Sequence, residues 1–424
     1  MAITAPRGTA DIMPSDVLKW EYIENTVKEV SARFGFKEIR TPVFEHTELF
    51  ERGVGDTTDV VQKEMYTFLD KGNRSITLRP EGTSGVVRAF LEHNVYAAPL
   101  PAKLFYNISC YRYEKPQAGR LREFHQFGAE CFGSASPEVD AEIIAYAYTV
   151  LCELGLSDAV LYLNSIGCPT CRKKYNEALK AYFKPYVESS QLCETCRTRY
   201  EKNPLRILDC KSPVCGEIAK GAPALIDYIC EDCRSHFEAV KKLLDAVGIP
   251  YNMDTTIVRG LDYYTKTVFE FKTDVGGAAA TVCGGGRYDG LVEQLGGAPQ
   301  CAMGFAMGIE RLIIALEKSG KMPVFENTPD LYIANLGEET SAFVSSLAAK
   351  LRALGLKCER DLCARSLKAQ MKFADKCGAR YSIVIGSDEM EKGRAVLKNM
   401  NTKTQTEVTL SDANEILKTI MEAV

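Results

Sequence analysis

Charged and polar side chains crowd the stretch from Lys103 to Phe132. Arg112, Glu114, Lys115, Arg120, Arg122, Glu123, His125, Gln126 and Glu130 fall on two extended runs and the loop that joins them. Three arginines around one loop suit a triphosphate, because guanidinium carries a permanent charge and contacts phosphate oxygens in pairs. Phe124, beside them, offers a face on which a base could stack. Half-buried strands also alternate polar with apolar residues, so a solvated charged hairpin accounts for the same pattern. Three further strings are unusual. Arg259-Gly260-Leu261-Asp262-Tyr263-Tyr264-Thr265 sets an arginine and two tyrosines ahead of a strand. In Cys283-Gly284-Gly285-Gly286-Arg287-Tyr288-Asp289 three glycines follow a strand and allow backbone to approach a ligand closely. From Gly304 to Leu312 glycines lead into a helix that carries Arg311. Neither the dinucleotide-binding G-x-G-x-x-G nor the P-loop pattern is present.

The cysteines form a second chemical theme. Cys168 and Cys171, Cys193 and Cys196, and Cys230 and Cys233 are three C-x-x-C pairs, and Cys210 and Cys215 are a looser fourth. Two such pairs complete a tetrahedral four-thiolate zinc site. Such a site would be structural, because four thiolates leave no open position for a substrate. Eight cysteines could hold two ions, or could simply be small buried residues, and the spacing leaves open which pairs combine.

The chain that must position these groups has 424 residues, 46% hydrophobic and 25% charged, with a net charge of −4. That composition excludes disorder and low-complexity sequence as the main theme, and the charge argues against wholesale coating of a nucleic acid. No apolar run approaches the ~18 residues of a membrane span. The start lacks a signal-peptide pattern, so a cytoplasmic location and thiols rather than disulfides are expected.

Periodicity supplies the elements. A helix is predicted from about Asp16 to Phe34, and a strand over Phe36 to Glu45 in which Pro42 implies an edge or an interface. Thr77 to Arg79 reads as a strand, residues 82–93 as a helix, and Lys103–Arg112 with Phe124–Phe132 as an antiparallel hairpin. Ala141 to Leu154 reads as an apolar helix. Residues 166–250 read as an inserted helical module. Strand patterns return at Thr255–Val258, Thr267–Lys272 and Thr281–Cys283, followed by a helix from about Gly304 to Ser319. After a linker at 320–329, alternating strands and helices over 330–424 predict a small α/β domain.

Taken in order, these strings resemble the class II aminoacyl-tRNA synthetases and, among them, the histidyl-tRNA synthetases. The Pro42 strand resembles motif 1, the stretch from Arg112 to Glu130 motif 2, and Gly304 to Leu312 motif 3. Arg79-Pro80-Glu81-Gly82-Thr83 and the Arg259–Thr265 string are the more specific parts. The resemblance runs from Arg7-Gly8 to the C-terminal domain. It implies an α+β fold: an antiparallel-sheet catalytic domain at 1–165 and 251–322, the inserted module, and an anticodon-binding domain at 330–424. It also implies the reaction. Histidine and ATP, the latter with Mg2+, form histidyl-adenylate, and histidine tRNA accepts the histidyl group.

By the same resemblance, Arg112 grips the α-phosphate, Glu114 lies at the adenine edge, Phe124 stacks on the ring, and Arg311 covers its other face. Arg259 stabilises charge building on the α-phosphate. Glu130 and Tyr264 select the imidazole, Glu81 and Thr83, flanking Gly82, hold the α-amino group, and Gln126 and Tyr263 stand beside them. The resemblance further implies a homodimer. Lys368, Lys372 and Lys376 recur every four residues, extended by Arg365 and Arg380. Alone they read as a solvated face; within an anticodon-binding domain they imply phosphate contacts to tRNA. A histidine-sensing regulatory subunit of ATP phosphoribosyltransferase is the alternative, but that paralogue degrades the Arg259–Thr265 string and lacks the C-terminal domain.

Overall fold

A computed structural model describes residues 2–56, 58–210, 212–274 and 279–422. The chain divides into two compact units, Met1–Pro323 and Val324–Val424.

The first unit is built on an eight-stranded sheet. Its strands run, edge to edge, Lys37–Glu38, Ala102–Tyr111, Glu123–Phe132, Ala302–Gly308, Ala279–Arg287, Thr265–Asp274, Val160–Ser165 and Tyr251–Met253. The two outermost pairings are parallel and all others antiparallel. Helices Pro14–Arg33, Pro137–Glu153, Glu231–Ala246 and Ile309–Lys318 cover one face and bury Ile23, Val27, Ile144, Leu151, Val240 and Leu312 against it. The first of these helices starts with proline at its first turn and stops where Gly35 takes φ +74°, the ordinary signals at the two ends. At the end of the central strand Ala279–Arg287, Arg287 and Asp140 form a fully buried ion pair, and His236 approaches the same carboxylate at 3.1 Å.

Three expected elements differ. The strand predicted over Phe36–Glu45 is broken into Lys37–Glu38 and Phe44–His46, which belong to different sheets. Pro42 has no N–H to donate, and the buried Arg79 guanidinium takes the carbonyls of Thr41 and Pro42 at 2.8 and 3.1 Å. A side chain thus satisfies the backbone where the ladder is interrupted. Residues 255–258 form a turn rather than a strand. The Asp254 carboxylate accepts from the backbone N of Thr256 at 3.0 Å, and Asn164 Nδ2 donates to the carbonyls of Thr255 and Ile257 at 3.2 and 2.9 Å. The glycines from Gly304 open a strand, Ala302–Gly308, and the helix begins only at Ile309. They let this strand lie between two neighbours in the sheet. A Cβ on Gly304 would collide with the Glu130 carboxylate.

Helices Pro169–Glu188, Glu194–Lys202 and Pro213–Ala219 form the helical segment between strand Val160–Ser165 and helix Glu231–Ala246. The last helix is shared: Cys233 sits with the segment's cysteines while Phe237, Val240 and Leu244 bury in the main core.

The second unit has a five-stranded mixed sheet in the order Cys358–Arg360, Leu331–Asn335, Tyr381–Ile385, Arg394–Asn399 and Gln405–Thr409. The first three strands are parallel and the last two antiparallel. The closing hairpin and helix Ala413–Met421 lie beyond the elements read from periodicity.

Candidate active site

The hairpin sets the geometry. Along Glu123–Phe132 side chains alternate between faces. Phe124, Gln126 and Glu130 line a cavity of about 510 Å³, while Phe127, Ala129 and Cys131 enter the core. Of the substrate residues expected from sequence, Glu81, Thr83, Arg112, Glu114, Phe124, Gln126, Glu130, Arg259, Tyr263, Tyr264 and Arg311 all line this cavity. Gly82 does not. A Cβ on Gly82 or Gly128 would collide with the ring of Tyr106, so the two glycines make room for that tyrosine.

Hydroxyls and carboxylates cluster in one part of the cavity. Glu130 is 1% exposed. Its Oε1 accepts from Thr83 Oγ1 at 2.7 Å and Tyr106 Oη at 3.0 Å, and its Oε2 from Tyr288 Oη at 2.5 Å. Burial pushes its carboxyl up to about 8 against the pull of these donors, and the nearby Glu81 charge adds to the rise. Glu81 is also buried and accepts the backbone N–H groups of Thr83 and Ser84 at 2.7 and 2.8 Å. These are the first free donors of helix Thr83–Glu92, where a carboxylate is favoured by unsatisfied N–H groups and the dipole. Tyr263 stacks obliquely on Tyr264, ring centres 4.6 Å apart, and meets Tyr288 edge-on at 5.5 Å. This arrangement can receive a compact polar group that presents N–H donors.

Guanidinium groups also gather along the lining, and that of Arg259 lies 5.8 Å from the centre of the Tyr264 ring. Arg112 Nε donates to the Pro80 carbonyl at 2.8 Å, and its guanidinium lies 5.2 Å from the centre of the Phe124 ring. Arg120 pairs with Glu114 at 3.4 Å. Arg311 donates to the carbonyls of Thr281 and Gly119 at 2.5 and 3.4 Å. Burial, with Arg120 nearby, lowers its pKa. Arg259 pairs with Glu270, whose other oxygen accepts from Thr281 Oγ1 at 2.8 Å. Arg259 Nε is buried and finds no hydrogen-bond partner among the described residues. The triple glycine serves this arginine and the sheet: a Cβ on Gly284 would strike the Arg259 guanidinium, and one on Gly285 or Gly286 would strike neighbouring strands.

Tyr106, Tyr288, Glu270 and Glu310 are among the lining residues that sequence patterning left without a role. Tyr288 lies within the triple-glycine string and Glu310 within the Gly304–Leu312 string. Glu310 accepts from the backbone N of His125 at 3.0 Å and lies 2.9 Å from its Nδ1, which ties helix Ile309–Lys318 to the hairpin. Tyr106 and Glu270 reach the cavity through strand register, which leaves no local signal.

Elsewhere, the eight cysteines fall into two groups: Cys168, Cys171, Cys230 and Cys233, and Cys193, Cys196, Cys210 and Cys215. In the second unit Lys368, Lys372 and Lys376 are exposed along helix Leu367–Lys376, opposite buried Gln370 and Ala374. Arg365 and Arg380 do not extend the stripe as free charges. Arg365 pairs with Asp361 and lies 4.7 Å from the centre of the Phe373 ring, and Arg380 pairs with Asp330.

Against known proteins, the family model described as histidyl-tRNA synthetase matches residues 8–169 and 217–312, and the anticodon binding domain matches 330–420. The interval 170–216, which the first model leaves out, holds Cys171, Cys193, Cys196, Cys210 and Cys215. The chain is 56% identical to the histidine–tRNA ligase of Acetivibrio thermocellus over 99% of its own length and 100% of that protein. It is 52% identical to the histidine–tRNA ligase of Clostridioides difficile over 99% of each chain. Among solved structures, apo histidyl-tRNA synthetase of S. aureus superposes with a TM-score of 0.83 at 41% identity, covering 99% of both chains.

Proposed function

The chain belongs to the histidyl-tRNA synthetase family, and from that premise we propose how its residues divide the work. Its activity is the ATP-driven attachment of histidine to histidine tRNA, an aminoacyl-tRNA synthetase reaction. The regulatory-subunit alternative is not favoured by relatives that match over nearly the full length.

The observation that carries the assignment of roles is the convergence of the arginines and the buried Glu130 in one cavity. Histidine docks with its imidazole against Glu130 and Tyr264, and its α-amino group against Glu81 and Thr83. Gln126 and Tyr263 flank its backbone. ATP enters as its magnesium complex, with adenine between Phe124 and Arg311 and Glu114 at its edge. Arg112 holds the α-phosphate. Arg259 meets the charge that develops there as the histidine carboxylate attacks phosphorus and pyrophosphate leaves; its unpartnered Nε supports this role. Such a step is driven by positioning and preorganised positive charge. Histidine-dependent exchange of labelled pyrophosphate into ATP tests the reading, and exchange that ignores histidine would overturn it.

The remaining assignments are finer. The domains are the catalytic domain at 1–165 and 251–322, the inserted module at 166–250 and the anticodon-binding domain at 330–424. Lys368, Lys372 and Lys376 contact tRNA phosphates. The chain pairs as a homodimer through the region of Pro42. Exposed Phe44 and Phe68, which the register sets on one face of the three-stranded sheet there, support that pairing, since exposed apolar surface of this kind marks an interaction surface. The cysteine-rich segment holds structural zinc. The free thiols fit a reducing cytoplasm, and no helix among the described residues is long and apolar enough to cross a membrane.

A further inference from the structure

Building on that reading of the pocket, we propose that the cysteines form two separate zinc sites, and that the second serves to position Arg259. The grouping is spatial. Within each set of four, the sulfurs all lie within 4.8 Å of one another. Around tetrahedral zinc, with bonds of about 2.3 Å, sulfurs stand about 3.8 Å apart. The Cys168–Cys171, Cys171–Cys233 and Cys193–Cys210 sulfurs are 3.5, 3.9 and 3.8 Å apart, a metal's spacing rather than a disulfide's.

The backbone supplies donors to the sulfurs. Cys168, Cys193 and Cys230 occupy the N-caps of helices Pro169–Glu188, Glu194–Lys202 and Glu231–Ala246, beside the unsatisfied N–H groups of the first turn. Backbone N–H groups of Cys230, Cys193 and Ser212 donate to the sulfurs of Cys171, Cys215 and Cys210 at 3.0, 3.3 and 3.4 Å.

The second set brackets the segment 197–209, and this segment grips the Arg259 string. Arg206 is buried and donates from Nη1 to the Arg259 carbonyl at 2.7 Å. Asn203 Nδ2 donates to Asp262 Oδ1 at 3.2 Å. Arg199 in turn donates to the Arg206 carbonyl at 3.1 Å and pairs with Asp59 at 3.1 Å. An ion bound by Cys193 and Cys196 on one side, and by Cys210 and Cys215 on the other, closes this segment into a loop. Arg206 is thereby held against the backbone of the residue whose guanidinium faces the reacting phosphate. Most of the histidine contacts assigned above, Glu81, Thr83, Gln126 and Glu130, lie on and beside the sheet, and only Tyr263 and Tyr264 belong to the gripped string. Losing the second ion therefore slows adenylate formation while histidine still binds. Arg206 is a positioning residue, not a catalytic one.

The test uses the full-length protein. Native chain should carry about two zinc equivalents, and Cys193→Ser with Cys210→Ser about one. That double variant should form adenylate about 10- to 100-fold more slowly in a single turnover, since misplacement of about 1 Å has that order of effect. Its histidine Kd should stay within threefold. Arg206→Met should reproduce the rate loss with both ions retained, Arg206→Lys should restore part of it, and the cysteine and Arg206 losses should not add. Cys210→His keeps a zinc-binding donor set and should keep both the ion and the rate, which separates metal loss from misfolding. Native protein with well under one equivalent, or an unchanged rate after loss of the second ion, would overturn the proposal. A native chain with two ions but no histidine-dependent exchange would overturn the pocket reading and the positioning role, leaving the ion count as a separate result.

Discussion

Glu130→Gln should make the ligand-free protein more stable while crippling histidine recognition, and the size of the first effect follows from the site. The Glu130 carboxyl is pushed up to about 8 from an ordinary value of 4.5, mainly by burial. At about 1.4 kcal/mol per unit, full ionisation costs the fold about 5 kcal/mol. Linkage fixes the sign. Below the unfolded value both states hold the proton, and no penalty arises. As pH rises towards the folded value, the unfolded state loses its proton first, so stability falls. Between about pH 5 and pH 8 the wild type loses about 3–4 kcal/mol through this group, whereas glutamine does not titrate. The stability gap between variant and wild type should widen by that amount across the interval. Any hydrogen bonds that glutamine makes less well shift both ends equally and cancel. Equilibrium urea unfolding can be read from the single tryptophan, Trp20, which packs edge-on to His125 at 4.7 Å and so reports on the catalytic unit. Histidine titrated calorimetrically should bind the variant about 10- to 100-fold more weakly, the loss of one charge-assisted hydrogen bond. A gap that stays constant with pH, or histidine affinity within threefold of wild type, would refute the reasoning.

Arg259→His should leave unfolding near wild type and slow single-turnover adenylate formation by about 10²–10³, the usual effect of removing one preorganised donor at a developing oxyanion; a loss under tenfold would contradict its role. Gly284→Ala should imitate that defect with Arg259 still present, because the added methyl meets the guanidinium, whereas Gly290→Ala, with open space around its Cβ position, should behave as wild type in the same rapid-quench assay. Replacing Lys368, Lys372 and Lys376 by alanine should raise KM for tRNA severalfold and flatten its salt dependence without altering pyrophosphate exchange. Phe44→Asp with Phe68→Asp should convert a dimer in sedimentation into a species of the chain mass, 46.9 kDa; wild type that already sediments at that mass at micromolar concentration would end the dimer proposal.

What could be read from sequence was what lies in one contiguous string. Phe124, Gln126 and Glu130 lie in one such string, and its resemblance to motif 2 supplied their roles, since alternation alone equally fits a solvated charged hairpin. Tyr106 was invisible for the opposite reason. It reaches the cavity because it pairs with Gly128 across the hairpin and because Gly82 leaves space, two facts of register. The Phe36–Glu45 run read as one strand because its alternation is real. Only the Arg79 side chain, contributed from elsewhere, explains how the backbone can leave one sheet at Pro42 and enter another. Glycines misled at Gly304, where close packing between strands resembles the approach to a helix. The cysteines show the same limit. Their number and spacing indicated metal, but Cys168 and Cys171 combine with Cys230 and Cys233 across the nested second set, and that pairing exists only in three dimensions.

Glu130 shows how these separate strings converge on one property. A carboxylate in the middle of a sheet is unfavourable unless its oxygens are satisfied, and the neighbouring segments make the room to satisfy them. Gly304 lies directly across the ladder from Glu130 and yields the space its own side chain would take. Gly128 and Gly82 yield theirs to Tyr106, whose hydroxyl donates to Glu130 alongside those of Thr83 and Tyr288. Even so, the carboxyl titrates near 8, so three hydroxyls leave the charge incompletely compensated. A ligand that brings an N–H donor offsets this residual penalty, and one that lacks it leaves the penalty in place. Discrimination against an amino acid without that donor is then strong, because a polar site rejects a partner that cannot complete its hydrogen bonds far more severely than an apolar pocket rejects a misfit. The instability stored at Glu130 in the free protein is thus the same quantity that makes the pocket selective for imidazole.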